Sequence, residues 1–423
     1  MKNETILHTL EQLRSGQLEG TTHLALSEQL TLFPKEILTL ASSLEVLDLT
    51  NNQLSHLPDS FSQLTKLRII FISNNNFTEL PTILGTCPNL EMIGFKSNQI
   101  TTVDASSLPK KLRWLILTDN KITALPEALG DCIHLQKLAL AGNALTALPL
   151  SMKKLVNLQL IRLSANALTA FPDQLLDLPK LAWLAFSGNH FNRHQQVTNS
   201  LPYVASNDYQ LEKVLGQGAS GVISLAQWRS NPHQLDNDIA VKVFKGQVTS
   251  DGYPQDELNA CLKTGAHPNL VASLAQVSEP NYLALIMALI PAHYHNLGLP
   301  PTFVTCTRDT FPAEFTLSIA AIATIVKQMT AVISHIQTQG VAHGDIYAHN
   351  VLVDDNANIL VGDFGAASIY DDLSPQQQKK IAVIEWRAVG YFIEDLLSIC
   401  HIQDQNTALY QQLYTQSQRY ISA

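Results

Sequence analysis

The feature that most constrains this chain is a period. Asparagine recurs at Asn52, Asn75, Asn98, Asn120, Asn143, Asn166 and Asn189, in steps of 23, 23, 22, 23, 23 and 23 residues. Each lies in the frame L-x-x-L-x-L-x-x-N-x-L, as in LEVLDLTNNQL and LQKLALAGNAL. A unit so short cannot bury an apolar face alone, so the copies must stack and share one core. Each copy supplies a short parallel strand with inward leucines, and its asparagine amide can bond backbone groups at the turn. The degenerate copy HLALSEQLTLFP and the helical-looking ILHTLEQLR before it read as a cap. Residues flanking the inward leucines point the other way: Val46 and Asp48, Ile69 and Phe71, Trp114 and Ile116, Leu160 and Arg162, Trp183 and Ala185. Two readings of this apolar face stay open. Another part of the chain covers it, or it binds a protein partner, with Phe71, Trp114, Ile116 and Trp183 as anchors.

These copies are leucine-rich-repeat sequence, and the stack is expected to be a solenoid over residues 1–195. A polar stretch, 196–207, reads as a linker, and 208–423 as a second domain. Charge divides along the same line: residues 1–200 hold 16 basic and 16 acidic side chains, and residues 201–423 hold 11 and 20. An acidic domain without a basic stripe argues against nucleic acid or an anionic membrane as the main partner. The five cysteines are scattered with no Cys-x-x-Cys pair, which disfavours a disulfide framework or a zinc site. The first twenty residues lack an apolar run of signal-peptide length. The apolar stretches Tyr282–Pro291 and Leu317–Val326 fall short of the ~18 residues that span a bilayer. A cytoplasmic location is the expectation.

The second half carries an ordered set of motifs. Gly216, Gly218 and Gly221 form G-x-G-x-x-G between two strand-like segments. A hairpin whose glycines let backbone approach phosphate fits better than the strand-to-helix turn of a dinucleotide fold. Then come Lys242 in IAVK, Glu257 in DELNACL, Asp345 and Asn350 in HGDIYAHN, and Asp363 in GDFG. This order and spacing resembles the protein kinase family. With the repeats, the whole chain resembles the soluble leucine-rich-repeat protein kinases of bacterial type. The resemblance implies an α/β chain: a leucine-rich-repeat solenoid followed by a two-lobed protein-kinase-like domain (α+β). It also implies ATP and Mg²⁺ as cofactors and a protein partner or substrate on the concave repeat face. Lys242 would hold phosphates and pair with Glu257, Asn350 and Asp363 would bind Mg²⁺, and Asp345 would orient or deprotonate the accepting hydroxyl. Met287 would stand beside the adenine, with Ala288 to Ile290 as the hinge. His343 would support the catalytic loop.

Three departures limit the transfer. Gly344 stands where many protein kinases have an arginine that contacts a phosphorylated activation loop, so phosphorylation of Ser368, Tyr370 or Ser374 is not expected to be required. Tyr347 and His349 stand where serine/threonine kinases have a lysine two residues after the aspartate and tyrosine kinases an arginine four after it. The segment from Asp363 to Glu385, in EWRAVGYFIEDLL with its Gly390, is short and lacks Ala-Pro-Glu, which predicts a minimal C-lobe. The reading is an ATP-dependent phosphotransferase of serine/threonine protein kinase type. The alternatives are a small-molecule kinase resembling the aminoglycoside and choline kinases, or a nucleotide-binding pseudokinase scaffold.

Overall fold

The structure is a computed structural model that describes residues 7–192, 197, 200–218, 220–246, 248–249 and 251–423. It clusters into two compact units, one of residues 1–161 and 166–179, the other of 162–165 and 180–423. This spatial division falls inside the repeats, ahead of residue 195. Of the linker 196–207, residues 196, 198 and 199 lie outside the described residues.

The chain enters through helix α1 (Leu10–Arg14), fixed by a capping box in which Thr9 Oγ1 accepts the Gln12 N–H at 3.1 Å and Gln12 Oε1 accepts the Thr9 N–H at 2.9 Å. Eight three-residue strands then line up in chain order in one sheet: β1 (His23–Ala25), β2 (Val46–Asp48), β3 (Ile69–Phe71), β4 (Met92–Gly94), β5 (Trp114–Ile116), β6 (Lys137–Ala139), β7 (Leu160–Arg162) and β8 (Trp183–Ala185). The parallel register sets Leu47 beside Ile70, then Ile93, Leu115 and Leu138, all fully buried. Most return segments are 3-10 turns entered through a proline, such as Pro58, Pro81 and Pro126, whose missing N–H costs nothing at a helix start.

The asparagines form the expected ladder. Asn120 Nδ2 donates to Phe95 O at 2.9 Å in the preceding repeat and to Leu117 O at 3.0 Å in its own, and its Oδ1 accepts the Ile100 N–H at 3.0 Å. One amide thus satisfies turn groups of two consecutive repeats, which is why the period is kept so strictly.

In the second unit, β9 (Tyr209–Gln217), β10 (Gly221–Trp228), β11 (Ile239–Phe244), β12 (Ser273–Glu279) and β13 (Tyr282–Ala288) build an antiparallel sheet in the order β12-β13-β11-β10-β9. The period of two sorts its faces. Ile239 and Val241 pack with Ala275, Val277 and Ile286, whereas Phe244 and Leu285 pack with Leu258 and Leu262 of α2 (Pro254–Thr264). Helices α3 (Ile319–Thr338), α4 (Pro375–Ser398) and α5 (Ala408–Ile421), with two small sheets of two and three short strands, follow among the described residues. The α3 helix exceeds the apolar stretch read from the sequence and is long and apolar enough to cross a bilayer by length and composition alone. Here Ile322, Ile325, Val326, Met329, Val332, Ile333 and Ile336 are buried inside the unit. Gly390 lets α4 and α5 meet: a Cβ there would lie 2.8 Å from Ile421 Cγ1 and 2.9 Å from Ser417 O.

Candidate active site

The β9–β10 hairpin supplies the glycines, and each has a distinct physical role. A Cβ on Gly221 would stand 2.5 Å from Val243 O, so this glycine is required for β10 to approach β11. Gly216 and Gly218 have no atom within 4 Å of a Cβ position, which leaves their backbone open to a ligand. Below the hairpin lies a cavity of about 360 Å³, lined by Gly218, Gly221, Lys242, Met287, Asn350 and Asp363 among others. That volume is in the range of small-molecule sites, roughly 300 to 1,000 Å³.

Lys242 projects from β11 and forms an ion pair with Glu257 of α2, which is only 3% exposed. Burial opposes the charged ammonium, but Glu257 and Asp363 outweigh it and hold the Lys242 pKa above its ordinary value. The lysine is therefore a fixed cation inside the cavity. Asp363 is held at φ +53°, a left-handed conformation uncommon for a non-glycine residue and often found at functional sites. Its neighbour Phe364 is buried against the His343 ring, with centroids 4.9 Å apart.

The loop 343–350 is pinned from several sides. His343 Nε2 donates to Gly362 O at 3.0 Å, and its Nδ1 accepts the Asp345 N–H at 3.3 Å. Burial depresses the His343 pKa, which keeps the ring neutral and Nδ1 available as an acceptor. Glu385 on α4 accepts the backbone N–H groups of His343 and Gly344. Asn350 Nδ2 donates to Asp345 O at 3.0 Å and to Asp345 Oδ2 at 2.8 Å. With the amide nitrogen so engaged, Asn350 Oδ1 and the Asp363 carboxylate are left as oxygen donors at the cavity, a set that fits a hard divalent cation.

The structure thus brings Gly218, Gly221, Lys242, Glu257, Met287, Asn350 and Asp363 to one cavity, with Asp345 one hydrogen bond away through Asn350. Two assignments are corrected. Ala288 is absent from the lining: alternation along β13 turns its side chain away when Met287 faces in, and its backbone N–H bonds Ala272 O at 2.9 Å; Ile290 lines the cavity instead. Trp183 is 1% exposed and unavailable to an outside partner: its ring stacks on Tyr347 at 4.7 Å and on Tyr391 at 5.5 Å, and its Nε1 donates to Ile346 O at 3.0 Å. Gly216 stands at the end of β9, outside the lining. Phe71, Trp114 and Ile116 remain half-buried, with the Lys137 ammonium 4.3 Å from the Trp114 ring centre.

Three side chains at the loop and the cavity escaped the sequence reading. Asp309 accepts the Ala348 N–H and, at 2.6 Å, bonds His349 Nδ1. Asp251 lines the cavity, and Arg162 Nε donates to it at 3.0 Å. Arg162, noted only as an outward strand residue, also donates to Asp345 Oδ1 and, at 2.9 Å, to Gly344 O. None of the three lies in a motif. The φ of +72° at Gly344 explains why no arginine stands in the loop itself: a Cβ would fall 2.5 Å from Ala366 O and 2.9 Å from Leu184 O.

Comparison with known proteins gives the same two parts. The protein tyrosine and serine/threonine kinase family matches residues 209–399, and the leucine rich repeat family matches 23–77 and 133–191. The serine/threonine-protein kinase pakF of Dictyostelium discoideum is 24% identical over 188 residues, 44% of this chain and 15% of that protein. The serine/threonine-protein kinase PSK2 of Saccharomyces cerevisiae is 28% identical over 169 residues, 38% of this chain and 14% of that protein. Ephrin type-A receptor 8 of Homo sapiens is 29% identical over 164 residues, 38% of this chain and 15% of that protein. The chain therefore spans about a seventh of the length of these relatives. A Leptospira interrogans leucine-rich-repeat protein of solved structure is 29% identical, with a TM-score of 0.35, over 41% of this chain and 50% of that one. One polypeptide thus carries both a segment similar to the leucine rich repeat family and a segment similar to the protein tyrosine and serine/threonine kinase family.

Proposed function

We propose that this protein is an ATP- and Mg²⁺-dependent protein kinase acting on serine or threonine hydroxyls, with the repeats recruiting a protein partner. The observation that carries the reading is the Lys242–Glu257 ion pair in a cavity that Asn350 and Asp363 also line, with Asp345 bonded to Asn350. Phosphoryl transfer relies on positioning and charge neutralisation, and these residues supply both. Lys242 would hold nucleotide phosphates, and Asn350 Oδ1 with Asp363 would hold Mg²⁺, which neutralises phosphate charge when bound. Asp345 would orient the acceptor hydroxyl. Phe71, Trp114 and Ile116, half-buried on the repeat strands, would anchor the partner.

The test is transfer of labelled phosphate from ATP to protein by the purified full chain, with and without chelator, followed by phosphoamino-acid analysis. Mg²⁺-dependent label on serine or threonine that is lost in Asp345→Asn supports the reading. Label on a small metabolite alone, or no nucleotide binding, refutes it. Trp114→Ala should weaken modification of a recruited protein while leaving ATP binding intact.

A further inference from the structure

The catalytic loop is short of positive charge. Tyr347 is a neutral phenol whose pKa burial raises well above its ordinary value, and it is packed between the Trp183 and His349 rings. His349 is held by Asp309 at 2.6 Å. Position 344 has no room for a side chain. Yet a carboxylate beside a γ-phosphoryl group needs a compensating cation, since two anions repel most where water is excluded.

One guanidinium meets this need. Arg162 is 5% exposed, and each of its three nitrogens donates: Nη2 to Asp345 Oδ1, Nη1 to Gly344 O at 2.9 Å, and Nε to Asp251 at 3.0 Å. Asp251 in turn lines the cavity. With Asn350 on Oδ2 and Arg162 on Oδ1, both oxygens of Asp345 are fixed. A planar fork suits this geometry in a way that an ammonium does not. A neighbouring contact holds the same loop to strand β8, because Trp183 Nε1 bonds Ile346 O.

We propose that Arg162, at the end of repeat strand β7, is a positioning residue for phosphoryl transfer: it bridges Asp345 and the cavity-lining Asp251 and supplies a permanent cation to a loop that has neither lysine nor arginine. The proposal rests on the kinase reading. It makes the last residue of β7, which clusters with the second unit, part of the catalytic apparatus. The opposite possibility, that Arg162 plugs Asp345 and restrains the enzyme, is an outcome of the test.

The experiment uses the full chain with Arg162→Met and Arg162→Lys, measuring kcat, the KM for ATP, Mg-ATP binding by calorimetry and the melting temperature. The expected result for Arg162→Met is a kcat lower by about 100-fold, as for a catalytic group displaced by about 1 Å, with ATP affinity within twofold of wild type. Arg162→Lys should recover part of the rate, and added guanidinium should raise the rate of Arg162→Ala but not of wild type. A purely structural role would give neither rescue. If Arg162→Met fails to fold, Arg162→Lys and guanidinium rescue of Arg162→Ala decide: wild-type kcat in the former, or no rescue of the latter, overturns the proposal. Unchanged kcat in Arg162→Met overturns it, and a raised kcat does so in favour of restraint. A wild type that transfers no phosphate while Arg162→Met does also means restraint, whereas absence of transfer in both removes the kinase reading and this proposal with it.

Discussion

Glu385 reports most directly on how the loop 343–350 is held. It accepts the N–H groups of His343 and Gly344 from α4, and it is 3% exposed. Burial pushes its pKa up to about 7, against the pull of those two donors, from an ordinary value of 4.5. Below pH 4.5 the folded and unfolded chains both carry the proton, and the group makes no electrostatic demand. Between 4.5 and 7 the folded chain keeps a proton that the unfolded chain has lost, so stability falls as pH rises. At about 1.4 kcal/mol per unit, the window amounts to roughly 3 kcal/mol, complete by pH 8. Glu385→Gln has the shape of the protonated acid and can accept the same two bonds without charge. It should match wild type near pH 4.5 and exceed it by roughly 3 kcal/mol at pH 8. Urea unfolding of the two proteins by tryptophan fluorescence, at intervals across that range, checks this. Groups common to both, such as Asp395, whose pKa burial raises to about 6, cancel in the difference. A difference that does not vary with pH, or a Gln variant weaker at pH 8, would refute the reasoning.

Further outcomes follow from single contacts. Lys242→Met leaves Glu257 buried without its cation, so the domain should lose about 3 to 5 kcal/mol together with phosphate transfer, as denaturation and a transfer assay will report. Asn120→Ala leaves turn groups of two repeats without a partner and should cost on the order of 1 to 3 kcal/mol. Asn189→Ala should cost as much, despite its place at the end of the array, because Asn189 is fully buried and donates to Leu163 O at 3.0 Å and to Phe186 O at 2.9 Å. Phosphate mapping of active protein should find Ser368 and Tyr370 unmodified, since Ser368 is fully buried with its Oγ accepting the Phe186 N–H and Tyr370 is 4% exposed. Gly390→Ala forces a methyl between α4 and α5 and should lower stability by about 1 to 3 kcal/mol, read as a drop in melting temperature.

What could be read from the sequence was local. The asparagine ladder was legible because the amides from Asn75 to Asn166 reach 20 or 21 and 25 or 26 residues back, and a nearly fixed reach imposes a nearly fixed period. The cavity was legible in part because Gly218 and Gly221 lie in one hairpin, and Asp345 and Asn350 in one loop. Alternation, however, says which side of a strand a residue takes and not what covers that side. Trp183 is an outward strand aromatic like Phe71, and nothing in the repeat pattern announces that its ring stacks on Tyr347 and Tyr391. Ala288 was recoverable, since a strand that turns Met287 inward must turn its neighbour out. Asp309 and Asp251 had no such signal. Each acts through one long-range contact, and a lone aspartate in a loop carries no spacing to recognise.

The same limit explains why the loop looked defective. Read alone, Gly344 is a missing arginine and Tyr347 a missing lysine. In the fold, the Leu184 carbonyl lies 2.9 Å from where a Cβ on residue 344 would be, so the space an arginine stem needs is taken by strand β8. The guanidinium that bonds Gly344 O comes from Arg162, 182 residues earlier. Glycine at 344 and arginine at 162 are two halves of one arrangement: the left-handed turn at φ +72° turns the carbonyl and Asp345 toward a cation that the loop does not carry. Restoring the family pattern by Gly344→Arg should therefore lower activity. The new side chain would demand a strained backbone and displace either Leu184 or Ala366. A Gly344→Arg variant with a raised kcat would show that the loop, and not the repeat strand, is where the charge belongs.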